Sequence, residues 1–413
     1  MKYGCFGLAL GCAAMVCQAQ PGLAAEPGFL GQPSDAQQEA EVHGHESGLL
    51  SWPGITGTWG GARQSLDDGG VTVEGAYTGE FVRDFSGGSP GGNNVIYQDN
   101  LDLSVTFDSE KMGLWSGGTL FVYGLRNHGG DPSGNVIGDL QTASNIEAPD
   151  NFLVQEAWYE QQFDDGLLSI LLGLHDLNSE FYASDYGSLF INSSFGIGPD
   201  MSANVVLSIF PKSGLTARVR VAPSDNSYVQ AAIYDGDPST RALHAAEGKL
   251  LISEAGFSSA TGSYKLGYWN HTADITVGAR TYTNDYGLYG VIDQELMHFD
   301  GDSAIGVFFQ YGWAPAPRNT VTRYIGGGLH MHGLIPMRDE DDIGIAVARA
   351  DIHDITVVPA TKTTAETAIE FTYRLVLTPW LAIQPSFQII RNPGGDATIK
   401  TANVGLLRFE LTL

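Results

Sequence analysis

A set of charged, amide and aromatic residues lies on or near the ends of the segments that the sequence predicts as strands. Its members are Glu80, Arg83, Asp84, Arg126, Glu156, Trp158, His175, Asp176 and Asn178. Guanidinium and carboxylate groups form paired hydrogen bonds, and an indole ring offers a flat surface for stacking. These side chains could therefore bind a small polar solute. The competing interpretation, which is the default for any single residue, is that they wet a water-filled interior or brace a loop through ion pairs.

The remaining sequence gives no indication of catalysis. It contains neither a His-Glu-x-x-His motif nor a phosphate-binding glycine loop. Because the chain has 47 Asp and Glu residues, a carboxylate pair at glycosidase spacing has no diagnostic value. The run Asp339-Glu340-Asp341-Asp342 lacks the spaced pattern of a calcium loop and is interpreted as a solvated acidic turn. We expect neither an enzyme nor a bound metal or other cofactor.

Charge and composition narrow the function further. A net charge of −26 argues against nucleic acid as a partner, since phosphates require Lys and Arg. The acidic balance fits either solubility or a passage that disfavours anions. Hydrophobic residues reach 43%, charged residues only 16%, and there are 53 glycines. This profile suits many short strands joined by turns.

The first 25 residues have the features of a secretory signal, with Lys2 ahead of an apolar run and small residues near Ala24 and Ala25. An alternative lipoprotein site ending at Cys12 is a poorer match. All 3 cysteines lie inside this segment, so a processed chain would have none. Residues 26–50 are polar and patternless, and we expect a flexible lead there. Residues 51–70 are expected to form a short periplasmic segment.

From residue 71 onward, apolar residues recur with a period of two, as in half-buried strands. Leu101, Leu103, Val105 and Phe107 share one face of such a strand, whereas the residues between them are polar. A soluble sandwich would show the same pattern, so two-sidedness alone does not indicate a membrane. Beyond the signal, the sequence has no apolar run of 18 residues that could form a spanning helix.

The connections between the strands distinguish the two folds. We predict about sixteen strands, at 71–83, 97–108, 118–126, 152–163, 167–176, 214–222, 227–234, 248–257, 262–270, 286–297, 303–312, 321–330, 343–350, 365–377, 381–390 and 401–413. Long connections alternate with tight turns, which is typical of an outer-membrane barrel. The fold class is therefore all-β, a transmembrane antiparallel up-and-down barrel over residues 71–413. The longest connection, 177–213, is expected to fold inward and narrow the barrel.

Several motifs carry a resemblance to a known family. They are Gly57-Thr58-Trp59-Gly60-Gly61-Ala62-Arg63, Gln155-Glu156-Ala157-Trp158-Tyr159, Gly173-Leu174-His175-Asp176-Leu177-Asn178, Phe190-Ile191-Asn192-Ser193-Ser194-Phe195-Gly196, Ala365 to Tyr373, Ile383-Gln384-Pro385 and Asn392-Pro393-Gly394-Gly395. In this order they resemble segments of the carbohydrate-selective porins of the OprB type, across nearly the whole chain after the signal. The sequence departs from the family at His175, where Lys is more common, and at the final residue, Leu413, which is not aromatic.

The resemblance implies a porin of the outer membrane through which glucose and related sugars diffuse without energy input. A sugar presents hydroxyl groups and an apolar ring face, which match the candidate set above. The expected partners are small-molecule sugars, outer-membrane lipid and lipopolysaccharide, and a homotrimer is the family-like expectation. The alternatives are a general porin or one for a polyol or organic acid, and less plausibly a barrel adhesin or enzyme.

Overall fold

The computed structural model describes residues 49–89, 94–299, 301–353 and 365–413. The predicted signal segment, and the predicted lead up to residue 48, lie outside the described residues. Among the described residues, no helix has both the length and the apolar character needed to cross a bilayer. The chain enters the structure through short 3-10 turns at Leu49–Ser51 and Trp59–Gly61 and a helix, α1, at Ala62–Asp68.

Sixteen antiparallel strands close into one barrel, which confirms the predicted fold class. In chain order the barrel strands are β1 (Val71–Ser86), β2 (Val95–Asp108), β3 (Gly118–Gly129), β4 (Asn151–Phe163), β5 (Leu168–His175), β6 (Gly214–Ser224), β7 (Ser227–Asp235), β8 (Lys249–Ser258) and β9 (Gly262–His271). After a small hairpin of β10 (Ile275–Val277) and β11 (Arg280–Tyr282), they continue as β12 (Asp285–His298), β13 (Ala304–Trp313), β14 (Val321–His332), β15 (Asp342–Ile352), β16 (Ala365–Thr378), β17 (Leu381–Arg391) and β18 (Ala402–Thr412). Each predicted strand overlaps one of these, whereas the hairpin was not predicted.

The barrel closes where β1 pairs with β18, with Glu80 opposite Arg408 and Phe81 opposite Leu407. Closure leaves no strand edge unpaired, which is what a strand needs when lipid replaces water around it. The period-two pattern sorts the side chains into two faces. On β18, Arg408 and Glu410 point inward and are buried, while Leu407, just before Arg408, is exposed on the outside. The wall is thus apolar outside and largely polar inside.

The two ends of the barrel differ in the length of their connections. One end, here the turn end, has short links such as 225–226, 259–261 and 379–380. The opposite end, here the loop end, includes loop L2 (residues 130–150) and loop L3 (residues 176–213). L2 contains a single π-helical turn at Ser133–Ile137. Further 3-10 turns lie at Ala245–Glu247, Ala316–Arg318 and Pro393–Gly395.

L3 folds into the barrel, as the sequence predicted. It consists of 3-10 turns at Leu177–Ser179, Gly187–Leu189 and Ser193–Phe195, followed by a short helix, α2, at Pro199–Ser202. Its aromatic residues Phe190 and Phe195 pack on Phe308 of β13, and Tyr182 stacks on Tyr289 of β12 at 4.2 Å between ring centroids. The apolar residues of L3 therefore gain a packing surface that an exposed loop would lack.

Small residues on the inner face of β13 to β15 make room for L3. A Cβ atom at Gly306 would overlap the ring of Tyr186, and one at Gly344 would lie 2.6 Å from the ring of Phe190. Ala346 and Ala348 on β15 are also small, and both are fully buried beneath the loop. These small inward residues thus leave the space that Tyr186 and Phe190 of L3 fill.

The segment before β1 packs against the turn end. The guanidinium of Arg63 donates a hydrogen bond to the carbonyl of Leu413 at 2.8 Å, and the Ile55 amide donates to the carbonyl of Thr412 at 2.8 Å. Gly60 and Gly61 have φ angles of 66° and 91°, a backbone conformation that favours glycine. The Trp-Gly-Gly-x-Arg motif is therefore explained by a turn that brings its arginine to the chain's last strand.

The close approach at Gly306 yields a test of L3 docking. In Gly306→Val the new side chain competes with Tyr186 for one space, so we expect docking of L3 to be destabilised by about 1–3 kcal/mol, the usual cost of overpacking. Limited proteolysis of L3 in the refolded protein measures this. Gly290→Val is the matched control, because a Cβ there meets only the Lys265 carbonyl at 3.6 Å. Equal protease resistance of the two variants would contradict the packing account.

Candidate pore constriction

Two glutamates on the inner face of β16 hold both inward-folding loops by their backbones. The carboxylate of Glu370 accepts hydrogen bonds from the amides of Ile191 and Asn192 in L3, each at 2.9 Å. The carboxylate of Glu366, four residues before Glu370, accepts hydrogen bonds from the amides of Leu140 and Gln141 in L2, each at 2.8 Å. Hydrogen bonds to a charged acceptor each contribute about 1.5–3 kcal/mol. These two residues thus fix the positions of both loops.

Other wall carboxylates continue this attachment along L3. Asp293 of β12 accepts from the Ser184 hydroxyl at 2.7 Å and from the Tyr186 amide at 3.0 Å. Glu254 of β8 accepts from the Tyr182 amide at 3.1 Å. Sequence reasoning missed these acids, although each lies on the polar face of an alternating strand, which is the signal that could have found them.

The two loops also bind each other. The amide of Asn145 in L2 donates to the carbonyl of Ile191 in L3 at 2.8 Å, and the Ser193 amide donates back to the carbonyl of Thr142 at 3.0 Å. L2 and L3 therefore act as one layer inside the barrel.

Glu80 is the predicted candidate that lies beside this layer. Its carboxylate accepts from the guanidinium of Arg408 on β18 at 2.9 Å and from the amide of Gln98 on β2 at 3.1 Å. Arg408 in turn donates to the side-chain oxygen of Asn145 in L2 at 2.6 Å. Arg408 was not among the sequence candidates, yet the β1 and β18 alternation places it on the polar face. The pair connects the barrel closure to L2.

The structure brings together the candidates Glu156, Trp158, His175, Asp176 and Asn178 at the root of L3. Glu156 accepts from the Trp158 indole at 3.2 Å and from the Asp176 amide at 3.0 Å, and Asp176 accepts from the Asn178 amide at 2.8 Å. All five side chains are buried, and only 1% of the Trp158 surface is exposed. The cluster therefore braces the start of L3, which is the bracing role weighed against solute contact in the sequence.

His175 completes this cluster through neutral partners. Its Nδ1 lies 2.9 Å from the hydroxyl of Tyr234 and its Nε2 lies 3.2 Å from the hydroxyl of Ser179. His175, at the position where Lys is more common in the OprB-type sequences, thus has both ring nitrogens next to a hydroxyl group, one of which belongs to L3.

An arginine group on the inner face of β6 was also missed by sequence reasoning. Arg218 forms ion pairs with Glu160 of β4 at 2.7 Å and with Glu180 of L3 at 2.6 Å. Arg220, two residues on, stacks over the ring of Tyr228 at 3.8 Å, and its Nε atom has no hydrogen-bond partner among the described residues. The alternation at Arg218-Val219-Arg220 in the sequence already places both arginines on one face.

The remaining candidates lie elsewhere. Asp84 points inward but accepts from the Ser86 amide at 3.0 Å and the Asn403 amide at 3.3 Å, which secures the strand end. Arg83 and Arg126 were predicted as candidates to bind a solute, but the period of two places both on the outer face. Arg83 shares the outer face of β1 with Phe81, and Arg126 pairs on the outside with Asp99 at 2.9 Å.

The acidic run at 339–342 is only partly solvated, which corrects the sequence interpretation. Asp339 and Glu340 are exposed, whereas Asp341 and Asp342 are buried. Asp341 binds Arg338 at 2.8 Å, and Asp342 accepts from His330 and His332, each at 2.8 Å. Within the described ranges, no group of three or more potential ligands has metal-binding geometry.

Burial changes the acidity of two carboxyl groups in L3. Burial raises the pKa of Asp200, in α2, to about 7 although the Tyr182 hydroxyl donates to it at 3.0 Å. Burial likewise raises the pKa of Asp176 to about 7. For Glu180, burial would raise the pKa, but the charge of Arg218 outweighs it and the pKa is lowered. Burial thus favours the protonated form of Asp176 and Asp200, whereas Arg218 favours the charged form of Glu180.

Comparisons with known proteins agree with this geometry. The model of the family described as carbohydrate-selective porin, OprB family, matches residues 92–413. Porin B of Pseudomonas aeruginosa is 25% identical over 86% of this chain and 90% of its own length. A putative porin of Acinetobacter baylyi, QuiX, is 20% identical over 86% of this chain and 92% of its own.

Solved structures share the barrel. The high-pH structure of Pseudomonas putida OprB has a TM-score of 0.80 at 21% identity and covers 89% of this chain and 100% of its own. The low-pH structure of the same protein has a TM-score of 0.58 at 20% identity, covering 88% and 99%. At this level of identity, the likeness shows the fold.

The carboxylate attachment predicts the effect of Glu370→Gln. The variant loses the charge of the acceptor that holds Ile191 and Asn192, so we expect docking of L3 to weaken by about 2 kcal/mol. Single-channel recordings should then show a larger and noisier conductance. The control is Glu295→Gln, an inward acid near the turn end that contacts His298 at 3.6 Å. If both variants conduct like the unmodified protein, Glu370 does not hold the constriction.

The raised pKa of Asp200 predicts a pH dependence. Because the docked loop binds a proton more tightly than an exposed Asp, whose ordinary value is 3.8, docking is stabilised at low pH. This stabilisation is lost as the pH rises through about 7. Conductance should therefore be larger at pH 8 than at pH 5, and Asp200→Asn should reduce the difference. A conductance that falls as the pH rises would contradict this prediction.

Proposed function

We propose that this chain, which belongs to the carbohydrate-selective porin family of the OprB type, lets glucose and related sugars diffuse passively across the outer membrane. The observation that carries the proposal is the layer of L2 and L3 inside a closed barrel, held to the wall by carboxylates. We expect such a layer to narrow the passage while leaving it open to small solutes. Selection by size and hydrogen bonding then needs no energy input.

The wall of β6 to β8 offers groups suited to sugar. Arg220 is 7% exposed, and its buried Nε donor has no partner among the described residues, while its guanidinium is stacked on Tyr228. The Tyr228 hydroxyl donates to Glu254 at 2.7 Å, which orients the ring. A planar guanidinium can bind adjacent hydroxyl groups in pairs, and a buried polar site discriminates strongly against solutes that leave it unpaired. We assign Arg220 as the leading sugar-contact residue.

The acids of the inner wall favour neutral solutes. Glu80 and Glu160 are ion-paired with Arg408 and Arg218. Glu254, by contrast, accepts only from neutral donors among the described residues, and its charge opposes the entry of anions. A neutral sugar therefore meets no electrostatic barrier, whereas an organic acid would.

The placement in the cell follows the same proposal. The protein is an outer-membrane porin, and its loop end faces outward by the general rule that long connections of such barrels are extracellular. The segment 51–70 would then lie on the periplasmic side, after removal of residues 1–25. A homotrimer stays a prediction.

Liposome swelling tests the proposal. Liposomes with the refolded protein should admit glucose faster than a polyol of equal size and much faster than a charged solute. Arg220→Gln should lower the preference for glucose about fivefold, since the loss of one good hydrogen bond costs about 1 kcal/mol.

The matched control is Arg83→Gln, which removes an arginine from the outer face and should leave the flux unchanged. Swelling that ignores solute identity would leave a general porin, and no swelling would contradict transport.

A further inference from the structure

Three arginines form a row on the outer surface of the barrel at its loop end. Arg323 of β14, Arg349 of β15 and Arg391 of β17, here the arginine strip, are all exposed. The pairing register aligns them, because Arg349 pairs with Thr367 of β16 and Thr367 pairs with Arg391. With strands about 4.8 Å apart, the strip extends roughly 14 Å around the wall. In a chain of net charge −26, such a basic surface requires a reason.

A carboxylate between two of these arginines holds them in place. Asp351 pairs with Arg323 across the strands, and its two oxygens accept from the Nε of Arg323 at 2.7 Å and the Nε of Arg349 at 2.9 Å. The side chains remain about half exposed, at 49% for Arg323 and 52% for Arg349. With one acid for three bases, the described part of the strip carries a net charge of about +2. Both guanidiniums are therefore ordered and incompletely neutralised.

The depth of the strip places it at a membrane boundary. Trp313 of β13 pairs with Arg323 at the same level, and tryptophan is enriched where lipid meets water. Toward the turn end, the outer faces of β14 and β15 become apolar, with Leu329 and Val347 exposed. The strip thus lies at the edge of the apolar band, on the side of the long loops.

We propose that the arginine strip binds the phosphate groups of a glycolipid of the outer leaflet, that is, of lipopolysaccharide. Guanidinium groups bind phosphate oxygens in pairs, and two of them held by one carboxylate present such a fork without an ordering cost. The lipid's acyl chains would lie along the apolar face below, beside Val347 and Leu329. This binding is independent of what passes through the pore.

Arg126 of β3, four strands from β17 around the barrel, shows why not every outer arginine belongs to this site. Arg126 is exposed to a similar extent, 44%, but Asp99, which also lies 3.5 Å from His128, balances its charge. It has no second arginine beside it on β2 or β4, whose outward residues near it are Leu101 and Phe152. Arg126 is therefore a control for a paired surface arginine.

The test uses the full chain purified in detergent and titrated with lipid A, with lipid A lacking its phosphates, and with inorganic phosphate. Bound lipid is counted by native mass spectrometry. A basic residue near an anionic membrane surface contributes about fivefold to binding, so Arg323→Gln/Arg349→Gln/Arg391→Gln should weaken lipid A binding on the order of 100-fold. Arg126→Gln should leave the binding unchanged, and both variants should keep the glucose flux.

The outcomes separate the sources of the signal. Loss of lipid A binding in the triple variant alone, with weak binding of the dephosphorylated lipid, supports the proposal. Equal binding of both lipids, or retention by the triple variant, would overturn it, since the acyl chains would then carry the affinity. Competition by inorganic phosphate at equal concentration would indicate a free-phosphate site instead. Dissociation of an oligomer in the triple variant with lipid still bound would make the strip a contact between copies.

Discussion

The structure depends on one requirement, that every backbone amide carried into the barrel must find an acceptor. L2 and L3 enter as irregular chain, so their amides lack the partners that helices and strands supply. Wall carboxylates meet the requirement at Glu366, Glu370, Asp293 and Glu254. A buried amide without a partner would cost about 1–3 kcal/mol. Without these acids, the amides would lose their acceptors and the docking of both loops would weaken.

This requirement changes the meaning of the acidic composition. Many of the inward acids are neither solubilising groups nor free charges along a passage, because backbone amides and arginines occupy them. Glu366 and Glu370 also explain the motif Ala365 to Tyr373, in which the two acids are separated by Thr367, Ala368 and Ile369. The spacing places both on the inner face of one strand, where one receives L2 and the other L3.

The barrel could be predicted because alternation and loop length are local properties. Leu101 to Phe107 and Leu407 to Leu411 show the period of two in the sequence itself, and it determines which residues meet lipid. The register across the closure is not local, so the pairing of Glu80 with Arg408 could not be derived. The choice of Arg83 with Asp84 failed for a simpler reason, since adjacent residues of a strand cannot share a face. Which acids bind a loop depends on the path of L3. That path follows small residues such as Gly306 and Gly344, which are too far apart in the sequence to form a recognisable motif.

The most direct test is the ratio of glucose flux to trisaccharide flux in liposomes, measured for the unmodified protein and for Glu366→Gln/Glu370→Gln. If wall carboxylates hold the layer that restricts the passage, the ratio is high in the unmodified protein and falls severalfold in the double variant, through faster entry of the larger sugar. An unchanged ratio in a correctly folded double variant would contradict the account, because the restriction would then not depend on these carboxylates.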